Sequence, residues 1–253
     1  MAGRLDGTVA LVTGASSGIG EATAEVLAAE GAALVLAARR RDRLEALASR
    51  IGDAVPVLVH EADVTDEAQV RAMVERTVAE LGRLDTLVNN AGVMLLGPIE
   101  GAPTEEWRRM VSLNLLGLLY CTHAALPYLL AAADDGPRRV ADVVNVSSVA
   151  GRVARLGSGV YNATKFGVFA FSESLRQEVT SRHVRVTLVE PGATGTELAF
   201  PNRPEVLEQM AATFGGSELL LSGDIADAIR YAVTRPRHAV VNEILVRPTE
   251  QER

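Results

Sequence analysis

Cysteine occurs once in the 253 residues, at Cys121, and histidine only four times. A single cysteine excludes an internal disulfide, and its apolar setting, LLGLLYCTHAAL, reads as that of a buried structural thiol rather than a nucleophile. His60, His123, His183 and His238 are widely spaced and no cysteine pair accompanies them, so no metal site is expected and each reads as an ordinary loop or packing residue. The start, MAGRLDGTVALVTGA, lacks the apolar core and cleavage pattern of a leader, and no later apolar run is long enough for a bilayer. The expectation is a soluble cytoplasmic protein with no membrane partner. No block of one charge stands out: 25 basic and 32 acidic residues are interspersed at a net charge of −7, which argues against a nucleic-acid surface. Repeats and low-complexity segments are also missing.

What is present is a regular alternation of apolar blocks and helical periodicity. TVALVT, ending at Thr13, reads as a buried parallel strand; the segment from Gly20 to Gly31 carries Ala24, Leu27 and Ala28 at helical spacing; AALVLAA is the next strand. The alternation continues through VPVLVHEAD, a helix from about Asp66 to Leu81, DTLVNNAG, a helix from about Thr104, VADVVNVSS, a helix starting near Tyr161, and VRVTLVEPG. Strands alternating with helices predict an α/β fold with a parallel sheet, in one domain over residues 1–253. After Pro191 the pattern breaks. The stretch 193–222 mixes turn formers with short helical patches, and its place after a strand end predicts a segment covering a substrate, with an irregular loop against a partner subunit as the alternative.

The glycine-rich run TGASSGIG places Gly14, Gly18 and Gly20 between the first strand and the first helix. Glycines there allow a tight turn and close approach of the backbone to a pyrophosphate, while the helix N-terminus supplies unpaired N–H groups. The second strand ends in Ala38 and Arg39, where an acidic residue would hold the adenosine ribose of NAD. A guanidinium clamps a ribose 2′-phosphate instead, so NADP is favoured, with Arg39 the first choice. Arg40 is a second, although Arg40 and Arg41 read equally as solvated positions opening the next helix. Asp63 suits the adenine amino group or an N-cap, a role open also to Thr65 and Asp66. Asn89, Asn90, Ala91 and Gly92 are small or amide-bearing residues suited to line a ribose.

The strongest chemical pattern is Tyr161-Asn-Ala-Thr-Lys165, which puts a phenol and an ammonium on one helix face. A nearby ammonium is expected to lower the phenol pKa and ease reversible proton transfer. Ser148, at the end of VVNVSS, offers a hydroxyl to a substrate oxygen, with Ser147 the less favoured neighbour. Asn114 interrupts the apolar SLNLLG; its amide needs a partner, either a water chain leading to Lys165 or a core hydrogen bond.

Together TGASSGIG, NNAG, SLNLLG, the Ser148 to Tyr161 spacing, YNATK and EPGATGT resemble the short-chain dehydrogenase/reductase superfamily over nearly the whole chain. The resemblance implies a doubly wound Rossmann domain of about seven parallel strands with helices on both faces, usually a homodimer or homotetramer. It implies a catalytic tetrad of Asn114, Ser148, Tyr161 and Lys165. It implies cofactor contacts from Gly14, Ser16, Ser17, Gly18, Ile19 and Gly20, from Arg39, Arg40, Asp63 and Val64, and from Asn90, Ala91 and Gly92. Tyr161 and Lys165 would face the nicotinamide ribose, and Pro191, Gly192, Thr194 and Thr196 its carboxamide. VMLLGPIE, the stretch AGRVARLGSGVYNATKFGVFAFSESLRQEV and NEILVRPTEQ are similar to the NADPH-using clavulanate dehydrogenase branch.

The expected activity is therefore NADP(H)-dependent, reversible reduction of an aldehyde or ketone to an alcohol, with clavaldehyde-like compounds among the expected substrates and Tyr161 as general acid and base. Rivals are oxidation of a hydroxy amino acid such as serine or allo-threonine, reduction of β-ketoacyl thioesters on an acidic carrier docking at Arg152 and Arg155, and a non-catalytic dinucleotide sensor. Met94, Leu95 and Leu96 suggest a hydrophobic wall for the substrate, or core or subunit contacts.

Overall fold

β-Branched and aliphatic residues fill seven short blocks, and each becomes a strand of one parallel sheet. The computed structural model describes residues 3–214, 216 and 218–252. The strands are β1 (Val9–Thr13), β2 (Ala33–Ala38), β3 (Val57–Glu61), β4 (Thr86–Asn89), β5 (Ala141–Val146), β6 (Val184–Pro191) and β7 (Glu243–Val246). Their order is β3-β2-β1-β4-β5-β6-β7, with every pairing parallel. The chain winds outward from β1 to β3, then crosses back to β4. The crevice above β1 and β4 is therefore the topological switch point, where such sheets bind ligands.

Alternation along the strands sorts side chains onto two faces. Ala10, Val12, Leu34, Leu36, Val88 and Val144 pack with α1 (Gly18–Ala29), α2 (Arg41–Ile51) and, near the C-terminus, α8 (Ser222–Val233). Val9, Leu11, Val35, Leu87 and Val143 pack with α3 (Glu67–Leu81), α5 (Gly117–Asp135) and α6 (Gly159–Val179). Helix α4 (Thr104–Met110) runs through a π turn, Val111–Leu116, into α5.

Several expectations change here. The helical run Thr104–Asp135 is 32 residues long and apolar enough to cross a membrane by length and composition, contrary to the reading that no such run exists. Its buried stripe of Cys121, Ala125 and Leu129 packs on the sheet as a core helix. The stretch 193–222 carries the expected mixture of turns and short helical patches, the turn Glu197–Ala199 and α7 (Pro204–Phe214); Gly215 and Ser217 of that stretch lie outside the described residues. Six strands were legible from periodicity. The seventh, β7, is four residues on the sheet edge with alternating exposure, too short to declare itself. The α3 cap is Asp66, whose Oδ1 accepts from Ala68 N at 2.9 Å and Gln69 N at 3.2 Å. Asp63 is not a cap; its Oδ1 accepts from the N–H and hydroxyl of Thr65 at 2.9 and 2.8 Å, closing a turn.

Candidate active site

The loop from β1 to α1 is shaped by what it must not contain. Gly14 has φ +68°, and a Cβ there would lie 2.9 Å from Ala91 Cα. A Cβ on Gly20 would lie 2.4 Å from Gly14 O. Only glycine allows this turn and the approach of the β4 loop to it. Thr13 Oγ1 accepts from Asn90 N at 3.0 Å and Ala91 N at 3.2 Å, and Asn90 Nδ2 donates back to Thr13 O at 3.0 Å. Asn90 is thus a brace of the glycine loop, with its side-chain nitrogen committed to backbone carbonyls. Val64 is buried, its backbone tight against Gly117. The open α1 N-terminus, capped by Ser17 without a side-chain bond to the helix, and this backbone cradle fit a dinucleotide pyrophosphate.

Beside the cradle stand the arginines. Arg40 donates to Ser16 Oγ from Nε at 3.2 Å and Nη2 at 2.9 Å, and to Ser17 Oγ from Nη2 at 2.8 Å. Arg40 is therefore built into the glycine loop and is not merely a solvated helix opener. Arg41 is one, exposed and paired with Glu45 along α2. Arg39 is exposed, and among the described residues no hydrogen bond or ion pair engages its guanidinium. With no carboxylate at Ala38 or Arg39, this edge fits an anionic group on an adenosine ribose. Asp63 is half-buried at the end of β3, with one carboxylate oxygen spent on Thr65.

The four proposed catalytic residues converge beyond the ends of β4 and β5. Tyr161 and Lys165 rise from the first turns of α6, both buried at 4% and 6% exposure. Lys165 Nζ donates to Val146 O at 2.9 Å and lies 5.8 Å from the Tyr161 ring centroid. Ser148 follows β5, donates to Pro191 O at 3.4 Å, accepts from Ala150 N at 3.1 Å, and is hydrogen-bonded with Tyr161. Ser147 points away, its hydroxyl on Lys165 O at 3.1 Å. Burial pushes the phenol up to about 12, opposed by the Ser148 hydrogen bond. Burial lowers the ammonium to about 8. The phenol thus lies above its ordinary value rather than below it as expected, because desolvation outweighs the Ser148 hydrogen bond.

Asn114 sits within the π turn rather than in a regular helix. Its Oδ1 accepts from Val93 N and its Nδ2 donates to Val93 O, both at 2.8 Å, with a further bond to Thr164 Oγ1 at 3.3 Å. The partner of this amide is thus the β4 loop, the core hydrogen bond of the two alternatives. A turn of wider pitch inside a helix re-aims such a side chain, and π turns recur at functional sites. Gly92 lies against this group: a Cβ there would be 3.3 Å from Asn114 Oδ1 and 3.9 Å from Lys165 Nζ.

Two amides escaped the sequence reading. Asn162, inside the YNATK motif, donates to Ala150 O at 2.7 Å and Val153 O at 2.9 Å and accepts from Ser158 Oγ at 2.6 Å, fixing the loop after Ser148 to α6. A polar residue buried between Tyr161 and Lys165 was the available signal. Asn202 donates to Met94 O and accepts from Leu96 N, both at 2.7 Å, fastening the segment after β6 onto the β4 loop. Nothing local marks it. Val93 and Leu95 pack with Met110 and Tyr161, so the apolar stretch after β4 is partly core. Pro191 ends β6; Gly192 N donates to Val246 O at 2.7 Å, Thr194 Oγ1 to Gly192 O at 3.0 Å, and Thr196 caps the turn Glu197–Ala199. Arg152 donates to the buried Glu190 at 2.6 Å and also pairs with Glu243, so it is neutralised and offers little to an acidic carrier.

A family model described as short chain dehydrogenase matches residues 8–206. An uncharacterized oxidoreductase of Staphylococcus saprophyticus is 38% identical over 245 residues, covering 96% of each chain. The closed form of a serine dehydrogenase complexed with NADP+ is 31% identical with a TM-score of 0.89, covering 97% of each chain. An alcohol dehydrogenase of the archaeon Thermococcus sibiricus complexed with 5-hydroxy-NADP is 29% identical with a TM-score of 0.84, covering 97% of this chain and 98% of the other.

Proposed function

Since the chain belongs to the short chain dehydrogenase family of oxidoreductases, we propose that it is an NADP(H)-dependent enzyme interconverting an aldehyde or ketone and the corresponding alcohol. The observation that carries this reading is the meeting of Ser148, Tyr161, Lys165 and Asn114 beyond the ends of β4 and β5, beside a glycine cradle flanked by Arg39 and Arg40. NADP-bound relatives of similar fold support the cofactor choice. When bound, the nicotinamide supplies or accepts a hydride.

Ser148 orients the substrate oxygen. Tyr161 gives its phenolic proton to that oxygen as negative charge develops there, and takes it back in the oxidative direction. Lys165, while charged, stabilises the phenolate that remains, at a range where a buried ammonium still acts strongly. Asn114 holds the β4 loop against α6 so that these groups keep their separation. Water is excluded from the pair by burial, which strengthens each of these interactions. The segment after β6, fastened by Asn202, covers a small-molecule substrate; aldehydes of clavaldehyde type and hydroxy amino acids belong to the candidate class. The protein works as a cytoplasmic homodimer or homotetramer.

The test is loss of nicotinamide absorbance when the protein is given NADPH and a panel of aldehydes, ketones, β-ketoacyl thioesters and oxidised hydroxy amino acids, with NADH in parallel. Turnover of one class with NADPH preferred is the expected result. NADPH binding without turnover of any compound would turn the assignment toward a dinucleotide sensor.

A further inference from the structure

Glu197 is accounted for neither by the motifs nor by the catalytic group. It lies on the turn Glu197–Ala199, in the segment after β6, yet its carboxylate reaches back to the arginines after β2. One oxygen accepts from Arg40 Nη1 at 2.7 Å and the other from Arg43 Nη1 at 2.7 Å. Arg40 simultaneously holds the hydroxyls of Ser16 and Ser17. The preceding residue lies on the glycine loop, for a Cβ on Gly18 would meet Thr196 Cγ2 at 3.2 Å. An internal anion is therefore seated on the guanidinium groups beside the dinucleotide cradle.

We propose that Glu197 is a specificity-determining residue of the cofactor site, competing with the ribose 2′-phosphate for Arg40 and Arg43 and so weakening NADP(H) binding selectively. The inference rests on the NADP(H) reading above. A phosphate and a carboxylate drawn to the same two guanidinium groups repel each other, whereas the neutral 2′-hydroxyl of NAD(H) has no charge to oppose Glu197. The hydrogen bonds from Arg43 and then Arg40 hold the Glu197 carboxyl down to about 2, so acid within the working range of the protein does not relieve the competition. Salt does, because the pair is partly exposed and screened.

The experiment is equilibrium titration of the whole protein with NADPH, NADH and adenosine 2′,5′-bisphosphate, for the natural sequence, E197Q and R40Q. The glutamine keeps the shape of the side chain and removes its charge. E197Q is expected to tighten NADPH and the bisphosphate about fivefold, to leave NADH within about twofold, and to lose this advantage as salt rises. If E197Q binds NADPH no better, or worse, while the natural protein still prefers NADPH to NADH, Glu197 merely orients Arg40 and the proposal is overturned alone. If the natural protein and R40Q bind NADPH and NADH alike, no 2′-phosphate site exists there, and the cofactor assignment falls together with the proposal.

Discussion

Two buried cations lie near opposite ends of β5, Arg185 on β6 and Lys165 on α6, and their surroundings treat them oppositely. At the N-terminal end Asp142 and Arg185, partners in register, form a two-point ion pair at 2.7 and 3.0 Å. Arg185 spends its remaining donors on the carbonyls of Val233, Arg235, Pro236 and Ala239. At the C-terminal end Lys165, just as buried, has one hydrogen bond among the described residues, to Val146 O, although an ammonium has three donors. A fully satisfied charge holds structure in place. An under-satisfied one, desolvated and shifted in pKa, is available for chemistry.

Replacement of Tyr161 by Phe should lower kcat by about 10³-fold, within the range of lost general acid–base catalysis, while NADPH titration gives a nearly unchanged Kd. Loss of binding instead would make Tyr161 as structural as Arg185 and erase the contrast. At the other end, Arg185→Met leaves the buried Asp142 with Arg138, at 3.1 Å, as its remaining ion-pair partner among the described residues, and should cost about 3 kcal/mol in denaturant unfolding, the low end for a broken buried pair. The double change with Asp142→Leu should recover much of that loss; if the double variant is less stable than the single, the pair is more than a satisfied charge.

The pH profile probes Lys165 directly. Its pKa is held at about 8 by burial, so it is charged below that value and neutral above it. Tyr161, pushed up to about 12, remains a proton donor throughout that interval. The kcat/KM for reduction should therefore be level at lower pH and fall about tenfold per unit once pH passes that of Lys165. A profile that stays level well above pH 8 would show that the ammonium is unnecessary. The smallest effect belongs to the exposed cation: Arg39→Ala should raise the KM for NADPH about fivefold and leave that for NADH unchanged. Equal changes for both would remove Arg39 from the 2′-phosphate site.

Much of this was legible in the chain. The continuous apolar blocks between helical stretches located six strands, and Tyr161, Lys165, Ser148 and Asn114 stand out as candidates by type and spacing. The less legible parts have physical reasons. The edge strand β7 has four residues and no buried face to impose a pattern. Asn202 and Glu197 act on Met94, Leu96, Arg40 and Arg43, partners more than a hundred positions away, which no local rule connects.

Local periodicity, glycine placement and helical spacing are properties of neighbouring residues, so the sequence alone determined the sheet, the glycine turn and the placing of Tyr161 and Lys165 on one helix face. The sign of the Tyr161 shift, the partner of Asn114, the brace from Asn90 and the carboxylate lying on Arg40 depend on burial and on contacts between distant segments. Those are decided only when the chain closes on itself, because desolvation and long-range pairing exist only in the packed molecule.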